Sequence, residues 1–436
     1  MMEAGRVPEF VLRRTRPAVV PVEPSVMASP DEAPVRWRQF LILLFVLPMF
    51  GQIFHYEKIV PPLWALSKMW PVLTLPLCAF ILRDGKAPSG TRQILISMLY
   101  FILVPSFMGI VTYQQNFFLG LTSQVKLLPI LYMFSFTGLL RLLKPTSSEI
   151  AKSFLLWGLS MFLVLVILWA VVPQNWYAVT QKVGDSPMFS VDGRGNRIRI
   201  PYYFGTIATF YCYRRFFSDK KVIWLLGALA GFGSVLGIIR GRADVLGIAL
   251  MLALGAFRFS KSTTRGAMLV VIPLLGLGLV SIPYVASTFD TSSKHGFDVR
   301  QRSIEKALEY QGHDFVRWIV GNGSITPLDP NGFIRFFNHF FFLADITWVG
   351  ITFEYGLIGA TLVLLIPLRG IWESRTIRPT RQGAFLGSLQ DYLIYSLIIS
   401  PLYPLTLSPG EFVTILAVFV YERERYGSAD PRFRHA

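Results

Sequence analysis

Cysteine is nearly absent: 436 residues hold two, Cys78 and Cys212, and both fall inside apolar runs. No disulfide framework and no zinc site follows from them. Histidine is scarce at five, so no Cys/His cluster forms a metal-ligand pattern. Acidic residues are few, 26 against 42 Lys and Arg, and the one adjacent Asp-Glu pair, Asp31–Glu32, lies near the start. The chain shows no phosphate-cradling glycine loop, no nucleotide fingerprint, no low-complexity segment and no visible internal repeat. Nucleotide-dependent chemistry and repeat architectures are therefore set aside.

Apolar length is what the chain has in abundance. It is 53% hydrophobic with a mean hydropathy of +0.49. Runs such as "FLLWGLSMFLVLVILWAVVP" (154–173) and "GAMLVVIPLLGLGLVSIPYV" (266–285) reach the roughly 20 residues that span a hydrocarbon core of about 30 Å. Backbone groups in lipid must bond within their own segment, so helices are expected and no strand pattern competes with them. The reading is an all-α polytopic membrane protein.

About twelve spans are expected, near 39–55, 66–83, 93–113, 125–142, 153–173, 200–217, 222–239, 243–258, 266–286, 340–368, 386–403 and 408–421. With the amino terminus inside, the inner turns are "RDGKAPSGTR" (83–92), "RLLKPTSSEIAK" (141–152), "RRFFSDKK" (214–221), "RFSKSTTR" (258–265) and "RGIWESRTIRPTR" (369–381). Every one is basic, as cytoplasmic loops are. That asymmetry accounts for much of the net charge of +16, which in a soluble chain would suggest nucleic acid; no nucleic-acid partner is expected here. The expected organisation is a cytoplasmic tail over 1–38, which lacks a signal-peptide pattern, spans one to nine over 39–286, an outer loop over 287–339, spans ten to twelve over 340–421, and a cytoplasmic tail over 422–436. In the outer loop Ile304, Leu308, Phe315 and Ile319 fall on one face at helical spacing. That piece is expected to rest on the outer leaflet or cap a cavity. "GNG" (321–323) reads as a turn after it.

The positive-inside rule has exceptions, and almost all are arginine. Arg240 and Arg242 sit in a tight turn between spans seven and eight, at the outer end. Arg194, Arg197 and Arg199 precede span six, and Arg300, Arg302, Arg317 and Arg335 lie in the outer loop. For Arg194, Arg317 and Arg335 the ordinary reading is a solvated charge or ion-pair partner. Arg240 and Arg242 are harder to dismiss, because a charge near the membrane interior is costly and Asp244 can pair with only one of them. Arginine stays protonated and offers a planar fork of donors that fits phosphate. Converging arginines at the outer face suit a lipid diphosphate.

A second signal is "NHFFFLADITWVGITFEYGLIG" (338–359). His339 is a side chain suited to moving a proton near neutral pH, with Asp345 within two turns as its orienting partner or as the base itself. Glu354 is the third candidate, with a helix-packing role as its ordinary reading. The early outer loop offers only Glu57, so a metal-free reaction is expected, on substrates already carried by lipid.

Together these parts resemble the O-antigen ligase and O-antigen polymerase superfamily. The likeness lies in "RGRADVLGIAL" (240–250), in "RQRSIEKAL" (300–308) with the glycine turn at 321–323, and in the histidine-containing run into a span with a Gly-x-x-Gly ending. It covers roughly 190–368. The resemblance implies a GT-C-like, metal-independent, inverting membrane glycosyltransferase without cofactors, in a bacterial inner membrane. Donor and acceptor would be glycans on undecaprenyl diphosphate. Chain-length regulator and flippase proteins would be partners beside the membrane lipids. By position, Arg240, Arg242 and Arg300 would hold the diphosphate, joined by Arg302, Arg197 and Arg199, and His339 or Asp345 would activate the acceptor hydroxyl. Family members often carry His followed by Asn, whereas here Asn338 precedes His339. The form of 343–359 is similar to polymerase-like members more than to ligases. A ligase acting on lipid A-core and a lipid-linked oligosaccharide flippase are the competing readings.

Overall fold

A computed structural model of the protein describes residues 35–426, apart from 56–59, 84, 180–186, 193, 261, 283–296, 327–335, 338–340, 342, 344–345, 378–382 and 404. The described chain is overwhelmingly helical. Its helices are α1 (Trp37–Phe50), α2 (Pro61–Leu73), α3 (Ala79–Arg83), α4 (Thr91–Tyr113), α5 (Phe117–Ser123), α6 (Tyr132–Leu143), α7 (Ser147–Val171), α8 (Tyr203–Asp219), α9 (Val222–Ser234), α10 (Arg242–Phe259), α11 (Ser262–Val280), α12 (Phe297–Gln311), α13 (Phe315–Val320), α14 (Thr347–Thr376), α15 (Gly383–Ile399) and α16 (Pro409–Tyr426). Among the described residues, six stretches are long and apolar enough to cross a membrane: Pro61–Arg83, Thr91–Tyr113, Phe117–Leu143, Ser147–Val171, Val222–Ile239 and Thr347–Thr376. Their outward faces carry large apolar side chains such as Leu159, Leu163, Ile167, Leu226 and Val111. A surface so apolar has lipid as its natural solvent. This is a helical membrane protein.

Two departures from the sequence reading concern the segments 178–198 and 297–320. Residues between α7 and α8 are not all loop: β1 (Ala178–Val179), β2 (Phe189–Asp192) and β3 (Gly195–Ile198) form a small sheet, so the fold is not purely α. The hairpin β2–β3 pairs Ser190 with Arg197 and Asp192 with Gly195. It was invisible because a four-residue strand is too short for alternation to stand out. Gly195, at φ 83°, lies where a Cβ would meet the Arg240 guanidinium. The helix expected after residue 300 is also divided. Gly312, at φ 53°, closes α12, and Asp314 caps α13 by accepting from Val316 N and Arg317 N. The face of α12 that packs inward carries Ser303, Ala307 and Gln311, while Leu308 and Phe315 are exposed. Of the expected apolar face, Ile304 packs partly buried against the cluster of Tyr113, Phe337 and Phe353, beside the buried Ala307.

Local chemistry explains where helices begin and bend. Thr146 opens α7 with a capping box, its hydroxyl accepting from Glu149 N and its own N–H donating to the Glu149 carboxylate at 2.8 Å. Helix α9 runs into a π turn over Val235–Ile239 that ends on Arg240, whose φ of 54° is left-handed. Helix α14 breaks at Gly356, at φ 66°. The freed carbonyls of Phe353 and Glu354 are taken by Asn322 N at 2.8 Å and Gly323 N at 3.1 Å. Residues 321–326 are buried to do so, which satisfies backbone groups that lipid would leave unpaired. Helix α14 also runs on to Thr376, so half of the expected inner turn after span ten is helix. Helix α16 is the axis of the core: every residue from Pro409 to Glu422 is buried.

Candidate active site

The arginines picked out by the sequence come together. Asp192, at the end of β2, binds three of them: Arg194 at 2.5 Å, Arg197 at 3.4 Å and Arg199 at 3.8 Å. The hairpin geometry produces this, since Arg197 on β3 and Arg199 just past its end flank buried Ile198, with Arg199 N donating to Met188 O at 2.7 Å. Arg240 reaches the same hairpin, donating Nη1 to the Arg194 carbonyl at 2.5 Å and Nε to Gly237 O at 3.0 Å. Arg242 opens α10, and Arg194, Asp192 and Arg300 all bear on its charge. Residues far apart in the chain, on β2–β3 and the α9–α10 turn, thus share one locus, and the charge of Arg300 on α12 acts on Arg242 there.

Among the described residues, the guanidiniums of Arg194, Arg197, Arg199, Arg240, Arg242 and Arg300 gather near the carboxylates of Asp192 and Asp244. Burial works to raise the Asp192 carboxyl, yet the hydrogen bonds and charge of Arg194, with help from Arg197, hold it down at about 2. Burial, and repulsion from Arg194 and Arg199, push the Arg197 guanidinium down to about 9. It remains charged at neutral pH, and its Nε donates to no partner among the described residues. An anion arriving here relieves repulsion already present in the protein.

Under the arginines lies a cavity of about 110 Å³ between the start of α8, the π turn, and α10, α15 and α16. It is lined by Asp244, Glu411 and the tyrosines Tyr202, Tyr203, Tyr392, Tyr395 and Tyr403. Tyr395 donates to Asp244 at 2.7 Å, and Tyr392 donates to Glu411. Tyr403 and the Ser408 hydroxyl are 3.2 Å apart. Asp244 belongs to both places: it lines the cavity and it acts on the charge of Arg197. The sequence reading expected Asp244 only as a partner for one neighbouring arginine, and it missed Glu411 and the tyrosines altogether. An ionisable residue inside an apolar run is itself the signal that marks Glu411.

The remaining candidates lie elsewhere in the network or outside it. Glu354 pairs with Lys126 at 2.6 Å, beneath the break in α14. Arg302 is on the exposed side of α12. Arg317 meets Asp314 at 3.2 Å, the ordinary ion pair expected of it. Asn338, His339 and Asp345, with Arg335, lie outside the described residues.

A different set of charges is matched almost one to one. Arg36 meets Glu149 at 3.2 Å, Arg141 meets Glu424 at 2.7 Å, Arg214 meets Asp391 at 2.5 Å, and Glu373 takes both Arg369 at 2.8 Å and Arg423 at 2.6 Å. No family model and no curated protein matches the sequence.

Proposed function

We propose that the protein is a membrane glycosyltransferase that joins oligosaccharide repeat units carried on undecaprenyl diphosphate, a polymerase of surface polysaccharide. In this reading the chain crosses a bacterial inner membrane about twelve times with both termini cytoplasmic, and the arginine cluster and the 287–339 loop face the periplasm. The observation that carries it is the gathering of Arg194, Arg197, Arg199, Arg240, Arg242 and Arg300 beside a polar cavity.

The chemistry asks for such a cluster. Breaking the bond between a sugar and a lipid diphosphate leaves a strongly charged anion, and its charge grows in the transition state. Fixed donors aimed at that growing charge act where water is scarce, and this is commonly the largest single contribution to rate. Arginine meets phosphate oxygens with two parallel hydrogen bonds. With cations supplied by the chain itself, the reading needs no metal ion or cofactor.

The test is reconstitution into liposomes with undecaprenyl-diphosphate-linked oligosaccharide extracted from the native membrane. A ladder of lengthened glycan, formed without nucleotide or ion gradient, supports the reading. Its loss in well-expressed Arg242→Ala and Arg300→Ala ties it to the cluster. Unchanged ladders in both variants remove the diphosphate role from these residues. Transfer of one finished glycan to lipid A-core, with no ladder, identifies a ligase instead.

A further inference from the structure

Resting on that reading, we infer that the cavity beneath the arginines is the acceptor site, with Asp244 as the catalytic residue that takes the proton from the acceptor sugar's hydroxyl. The carbon under attack is bonded to a diphosphate oxygen, so it lies against the guanidiniums that hold the diphosphate. The proton acceptor must stand within hydrogen-bond reach of a hydroxyl attacking that carbon. Asp244 alone lines the cavity and also bears on Arg197. It lies in the first turn of the helix that Arg242 opens, folded back over Gly241, where a Cβ would run into its carboxylate.

Glu411 does not satisfy the same condition. Its carboxylate receives the Tyr392 hydroxyl, and the Tyr203 hydroxyl reaches its backbone carbonyl at 3.5 Å. It is placed to accept from another hydroxyl of the sugar. Tyr395 holds Asp244 by one oxygen; it is a positioning residue. The cavity size sets how the acceptor enters. A cavity of about 150 Å³ accepts benzene, so 110 Å³ does not enclose a six-membered sugar ring. It takes one hydroxyl-bearing edge, with the rest of the ring outside.

The step balances without a further reactant. The acceptor oxygen forms a bond to the anomeric carbon of the donor. The bond from that carbon to the diphosphate oxygen breaks, and its electron pair leaves with the diphosphate among the arginines. The acceptor's proton passes to Asp244 and from there to water.

The experiment compares wild type with Asp244→Asn in two assays: binding of undecaprenyl diphosphate, and glycan elongation in liposomes. Binding within about threefold of wild type, with elongation reduced by at least about 100-fold, is the expected result. Where the Asn variant fails to fold, Asp244→Glu decides: it keeps the charge but displaces it, and elongation falls about tenfold with binding retained. Elongation at the wild-type rate in a folded Asp244→Asn or Asp244→Glu overturns the assignment, and loss in His339→Ala alone would move it to that histidine. Wild-type protein that neither binds undecaprenyl diphosphate nor elongates glycan removes the polymerase reading itself, which is a different outcome.

Discussion

Tyr395 donates its hydroxyl to the Asp244 carboxylate at 2.7 Å, joining α15 to the first turn of α10 across 151 positions of sequence. The contact fixes a carboxylate at the border between an arginine cluster and a buried cavity. Hydrogen bonds to charged groups contribute roughly 1.5–3 kcal/mol. Tyr395→Phe is expected to destabilise the protein by about 1–2 kcal/mol and to slow elongation about tenfold. Thermal melting in detergent and a time course of glycan length measure the two effects separately.

Arg240 carries both a charge and a left-handed backbone, φ 54°, after a π turn. Such a conformation costs a non-glycine residue about 1–2 kcal/mol. Arg240→Gly removes that cost together with the hydrogen bonds to Arg194 O and Gly237 O. These terms nearly cancel, so melting should move little while affinity for undecaprenyl diphosphate drops about tenfold. Arg240→Ala keeps the strain and loses the bonds, and should melt lower than either.

Asp192 links acid stability to the cluster. Its carboxyl is held at about 2 in the folded protein, against an ordinary value of 3.8. A carboxyl lowered on folding contributes stability that is complete above its unfolded value and lost as pH falls through the folded one. The loss therefore falls between about pH 4 and pH 2, and after screening at a partly solvated site it amounts to about 1–2 kcal/mol. Asp192→Asn should flatten the acid limb of the melting curve in that window. It should also leave Arg194, Arg197 and Arg199 splayed, weakening diphosphate binding.

Gly356 is required by geometry rather than chemistry. At φ 66° it breaks α14, and a Cβ there would press on the backbone of Ile319 and Val320. Gly356→Ala is expected to cost at least about 2 kcal/mol and to lower the folded yield, which size-exclusion profiles of the solubilised protein read directly.

Some of the site was legible in the chain before any fold. Arg240 and Arg242 stood out because two charges between apolar runs violate a rule about single residues and their neighbours. Arg197, Arg199 and Arg300 followed by the same logic. Asp192 escaped notice because its role is to gather arginines, and a gathering cannot be seen along one strand of sequence. The tyrosines of "DYLIYS" (391–396) carry no signal in the sequence, since an aromatic with a polar tip suits a membrane interface as well as a cavity wall.

The sequence by itself determined that helices cross a membrane and that arginines cluster in the segments between them. Apolar length and charge placement act locally, through the cost of transferring each stretch into lipid. Tertiary structure alone decided that β2–β3 and the α9–α10 turn meet, that Leu308 and Phe315 stay exposed, and that Asp244 and Glu411 share a cavity with five tyrosines. Those outcomes depend on which helices become neighbours. A buried carboxylate finds its partner through packing, in one arrangement among many that the same apolar pattern allows.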